Sequence, residues 1–79
     1  MSSEIETDVS RRRFAATLRR VADALEAGRP FRLQVAGTRV HVPAGATPSL
    51  VVETADGERE LELQLRWSVA NDASSTEAG

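Results

Sequence analysis

The chain has 79 residues, 41% hydrophobic and 28% charged, a balance that suits one small folded domain and excludes wholesale disorder. It holds no cysteine, which removes disulfides, thiolate catalysis and cysteine-ligated zinc together. The formal charge is −2, yet all ten basic residues are arginines between Arg11 and Arg66, where seven acidic residues leave that stretch at +3.

A domain of this size buries only about 60% of its unfolded surface, so it has little material for an internal ligand cavity. Without disulfides or a structural metal it must rely on packing or on oligomerisation. No apolar run is long enough to span a bilayer. The opening MSSEIETDVS is acidic and lacks the apolar core of a secretory signal, so a cytoplasmic location is expected. The use of arginine to the exclusion of lysine fits codon bias. It also fits selection for planar, bidentate anion recognition.

Residues 1–9 carry Glu4, Glu6 and Asp8 and read as an acidic tail. A helix is predicted to start at Ser10, whose hydroxyl can accept from a free backbone N–H of the first turn. Val9 and Phe14 have the spacing of a hydrophobic staple across that start. Phe14, Leu18, Val21 and Leu25 recur at four, three and four residues with Ala15 and Ala22 beside them, which makes one helical face. Arg12, Arg13, Arg19, Arg20, Asp23 and Glu26 fall largely off that face. Gly28 is the expected C′ residue, and Pro30 stops continuation.

Two hairpins follow. Phe31, Leu33 and Val35 alternate with Arg32 and Gln34; after Ala36-Gly37, Val40 and Val42 alternate with Arg39 and His41. A two-residue turn at Ala36-Gly37 sets Leu33 opposite Val40 and Phe31 opposite Val42, so the apolar sides agree. Pro43 to Pro48 reads as a loop. Asp56-Gly57 is a strong type I′ signal. It sets Val52 opposite Leu61 and Leu50 opposite Leu63. Leu61, Leu63, Leu65 and Trp67 then alternate with Glu60, Glu62, Gln64 and Arg66, a period of two that means one buried and one wet face. Residues 68–79 read as a polar tail, leaving residues 10–67 as the domain. The predicted class is α+β: one N-terminal amphipathic helix packed on one face of a four-stranded antiparallel meander sheet, in the order α-β-β-β-β.

Ser10-Arg11, Ala15, Leu18, Ala22, Leu25, Gly28 and Phe31, then Val35, Gly37, Val40, Val42-Pro43 and a closing Glu60-Leu61-Glu62, Leu65 and Trp67 carry a resemblance. In this order they resemble the Amphi-Trp domain family, short bacterial and archaeal proteins with an amphipathic segment and a terminal tryptophan. The resemblance spans residues 10–67. It implies a helix-plus-sheet domain and assigns no activity, cofactor or functional residue.

The candidate sites are few. Trp67 ends the apolar side of the last strand, where it serves either as a rim of the core or as an anchor for a partner. Val51 stands on the polar side and could seed a small sheet-to-sheet contact. His41 is the only histidine; with no orienting partner or nucleophile pattern it reads as an exposed strand residue. Glu58, Glu60 and Glu62 have the spacing of an outward strand face, for which cross-strand charge pairs are the plain account. No catalytic or metal site is predicted, and no cofactor. Arg11, Arg12, Arg13, Arg19 and Arg20 on the helix, with Arg32 and Arg39 on the first hairpin, are the residues that could contact phosphates or another anion. Against that stands a solvated helix face neutralised by Glu4, Glu6 and Asp8.

The function expected is a non-catalytic protein-interaction or structural module, self-associating through its sheet or meeting another protein. The alternative is a nucleic-acid-binding protein using the arginine-rich helix face or the polar sheet face. That alternative is weakened by Phe14, Phe31 and Trp67 all being expected to face the core, because single-strand binders need stacking aromatics.

Overall fold

The computed structural model describes residues 3–69. The order is α1 (Arg11–Ala27), β1 (Phe31–Val35), β2 (Thr38–Val42), β3 (Thr47–Ala55) and β4 (Glu58–Arg66). The protein is thus α+β, a helix followed by four strands in two antiparallel hairpins. Residues 3–10 are irregular and exposed; the expected tail from residue 70 onward lies outside the described residues. The chain divides after Gly45 into two compact units, one holding α1, β1 and β2, the other β3 and β4.

The helix is set by its ends. Ser10 is extended (φ −69°, ψ 157°), and its hydroxyl accepts from the Arg13 N–H at 3.1 Å. At the other end Gly28 is left-handed (φ 67°), its N–H donating to the Leu25 carbonyl while the Arg29 N–H donates to that of Ala24. This pair of bonds is a Schellman cap, and it needs a residue that tolerates positive φ.

Both hairpins adopt the register that the turn residues dictate. Leu33 pairs with Val40 and Phe31 with Val42; Val52 pairs with Leu61 and Leu50 with Leu63. Ala36 and Gly37 (φ 50° and 82°), and likewise Asp56 and Gly57 (φ 53° and 78°), have the positive φ of a type I′ turn at both central positions. That turn twists with the strands and closes each ladder without a slip.

The ladders among the described residues are β1–β2 and β3–β4, each a two-stranded sheet. Counting from the two-residue turn, Pro48 and Leu65 occupy a pair whose backbone groups point away from each other. The outer edge of β3 therefore lacks a donor at that residue, near the start of the strand, where proline is tolerated.

Burial in the first hairpin follows the alternation. Phe31, Leu33, Val35 and Val40 are half-buried and Val42 is buried, whereas Arg32, Gln34, Arg39 and His41 are exposed. The helix differs from expectation. Ala15, Thr17 and Val21 are half-buried and Ala24 is buried, while Phe14, Leu18 and Leu25 remain open. A five-residue strand offers about 17 Å of length, and α1 runs about 26 Å, so β1–β2 is too short to cover the full apolar stripe.

The second hairpin reverses the expected burial. Most of its apolar side is open: Leu50 is 74% exposed, Leu61 68%, Val52 57% and Leu63 56%, with Leu65 half-buried. Its polar side holds the half-buried residues Ser49, Val51, Glu62 and Gln64. There the Ser49 hydroxyl donates to Gln64 Oε1 at 3.2 Å, and Gln64 Nε2 donates to Glu62 Oε1 at 3.0 Å. This chain of bonds lays the polar side chains across both strands, so they cover one another.

Candidate functional site

The seven candidate arginines separate into two groups. Arg11, Arg12 and Arg13 occupy the first helical turn, all exposed. Successive residues are about 100° apart around a helix, so the three spread around its end instead of converging. Arg19 is also exposed on α1.

Arg20, Arg32 and Arg39 converge. Together with Leu33 and Gln34 they line a concavity of about 270 Å³. Strand alternation places Arg32 and Gln34 on one side of β1, and register places Arg39 opposite Gln34. Arg20 arrives from the helix and donates from Nη2 to the Arg32 carbonyl at 3.3 Å. The hairpin geometry explains why that carbonyl is available. Arg32 and His41 form a pair whose backbone groups turn outward, so the free edge of β1 presents the Arg32 oxygen. Among the described residues none of these three guanidiniums has an ion-pair partner. A larger groove of about 620 Å³ adjoins through Arg20 and is lined also by Asp8, Arg13, Phe14 and Thr17. Phe14, expected in the core, is thus an exposed aromatic beside two arginines.

The carboxylates gather differently from the expected trio. Glu53, Glu60 and Glu62 bring one oxygen each to within 4.8 Å of one another. Glu53 faces Glu60 across the ladder, and Glu62 is two residues along the same face, whereas Glu58 sits opposite Ala55 at the turn. The register sum at Asp56-Gly57 contains this pairing, since it fixes the partner of every residue. Glu53 and Glu60 are exposed and Glu62 is half-buried. That is a wet strand face, and by itself it defines no metal centre.

His41 is exposed, directly opposite Arg32. Val51 is half-buried opposite Glu62. Trp67 is half-buried one residue past the end of β4, so the last strand stops short of the tryptophan that the alternation included. The residues that sequence reasoning passed over are Ala24, Gln34 and Glu53. For Gln34 the available signal was its place between Arg32 and Arg39 on the wet face.

Charge is also divided along the chain. Residues 10–45 hold eight arginines against two acidic residues, and residues 46–69 hold five acidic residues against two arginines. No helix among the described residues is long and apolar enough to cross a membrane.

The model of the Amphi-Trp domain family matches residues 1–79, the whole chain, and the chain belongs to that family. No curated protein and no solved structure matches it.

Proposed function

We propose that this Amphi-Trp domain protein is a small non-catalytic interaction module of the cytoplasm that self-associates through the apolar face of β3–β4. The observation that carries this reading is the exposure of Leu50, Val52, Leu61 and Leu63 together on one face. A two-stranded hairpin is marginal alone in water and needs a packed layer. Burying one such side chain is worth about 1.5–3 kcal/mol, most of it unrealised while the side chain stays wet. Large contiguous apolar surface on a soluble domain marks an interaction site.

A second copy of the chain fits this face. The open helix stripe of Phe14, Leu18 and Leu25 is apolar too, and it sits in the arginine-rich half of the chain, while the hairpin lies in the acidic half. Helix on hairpin between two copies therefore joins apolar to apolar inside and unlike charges at the rim. Applied reciprocally, the same contact closes as a two-fold dimer. Leu63→Glu places a charge in the middle of that face. It is expected to convert the dimer to a single chain in light scattering after size exclusion, with the helical signal in far-ultraviolet circular dichroism retained. A wild-type protein that elutes as a single chain under the same conditions contradicts the proposal.

The second reading is nucleic-acid contact through the arginine-rich helix. One observation favours it: Phe14 is exposed in a groove shared with Arg13 and Arg20, where a base could stack. Arg19→Glu with Arg20→Glu reverses that face. It should abolish the anisotropy change with mixed-sequence oligonucleotides at low salt. Affinity that survives the double change rules out the helix face.

A further inference from the structure

We propose that Arg20, Arg32 and Arg39, with the Gln34 amide, form a binding site for a terminal phosphoryl group. This rests on the first unit alone and is independent of self-association.

Three arginines from three elements line one concavity of about 270 Å³. Like charges gathered this way repel one another, and among the described residues no ion pair offsets them. The lining of the concavity holds no carboxylate, and Asp8 belongs to the adjoining groove with Arg13 and Arg20. On the helix, Asp23 and Glu26 are exposed. An anion in the concavity would supply the missing counter-charge.

The geometry is preorganised in part. Arg20 spends one N–H on the Arg32 carbonyl, which fixes the end of a long side chain and leaves its remaining donors free. Arg32 and Arg39 project from adjacent strands whose register is pinned by the Ala36-Gly37 turn. Fixing the fork before binding lowers the entropy lost on capture. Gln34 adds an amide donor with no charge.

The chemistry selects a terminal phosphoryl group over a nucleic-acid backbone. A phosphate monoester carries about −1.5 to −2 charge at neutral pH and three acceptor oxygens, whereas each backbone diester carries one negative charge. Three arginines lining one concavity match the former. A diester chain needs a line of cations, and of the other candidate arginines only Arg13 lies in the adjoining groove, beside Asp8; Arg11, Arg12 and Arg19 are outside both linings.

The test is calorimetric titration of the full chain with inorganic phosphate, pyrophosphate and a mixed-sequence single-stranded oligonucleotide, with amide chemical shifts followed by NMR. Expected is saturable binding of pyrophosphate at one site per chain, with shifts centred on residues 32–34 and 39. Arg32→Gln with Arg39→Gln should weaken it at least about tenfold, since charge-assisted bonds to two of the three cations are lost. Arg11→Gln with Arg12→Gln should bind like the wild type and so controls for net charge. Wild-type affinity in the Arg32/Arg39 variant, with its fold retained, overturns the proposal. So does equal weakening in the Arg11/Arg12 variant. Oligonucleotide affinity that grows with length while pyrophosphate fails to saturate would also overturn it, revealing a backbone track instead of a phosphoryl site.

Discussion

Ala36 holds a left-handed conformation, φ 50°, that its methyl group disfavours. A left-handed L-residue costs about 1–2 kcal/mol, and asparagine is the usual occupant of this turn position. Ala36→Asn is therefore expected to stabilise the first hairpin by about 0.5–1 kcal/mol. For a domain this small that raises Tm by roughly 2–8 °C, readable by circular dichroism. Asp56 has the same conformation at the second turn with a side chain suited to it, so the two turns are unequal in local strain. The turn partner of Ala36, Gly37, has open space around it; its φ of 82° is what requires glycine there.

At the scale of elements, the helix carries an electrostatic fault at its start. Arg11, Arg12 and Arg13 occupy a first turn that contains no acidic residue, at the positive end of the helix dipole. Arg12→Glu should add about 0.3–1 kcal/mol at low ionic strength, and the gain should shrink as salt is added. A thermal melt at two salt concentrations checks both statements. The ends of α1 and the register of both hairpins were legible in the sequence, because each is decided within a few residues. Ser10 meets Arg13, Gly28 closes on Ala24 and Leu25, and each two-residue turn sets its whole ladder. What covers an apolar face is decided by distant residues. Alternation marked Leu61 and Leu63 as one side of a strand but carried no information on which element would lie over them. The convergence of Arg20 with Arg32 was hidden for the same reason: it depends on a helix side chain reaching a carbonyl twelve residues away. A backbone oxygen leaves no trace in a residue pattern.

Across the whole chain, two asymmetries coincide. Positive charge is concentrated in residues 10–45 and negative charge in residues 46–69. Each part also presents open apolar side chains: Phe14, Leu18 and Leu25 in the first, Leu50, Val52, Leu61 and Leu63 in the second. Surfaces that match in hydrophobicity and oppose in charge are suited to one another, and a small domain without disulfides gains stability from such contact. If two copies satisfy each other in this way, salt has opposing effects, weakening the charged rim while leaving the apolar contact in force. Dimerisation would then persist at moderate ionic strength, with slower association.

The measurement that bears most directly on this account is sedimentation equilibrium of the wild-type chain over a wide concentration range. The mass is expected to rise from one chain toward two and stop there, as a closed two-fold contact requires. A mass of one chain at every concentration would contradict it, as would growth past two without a plateau.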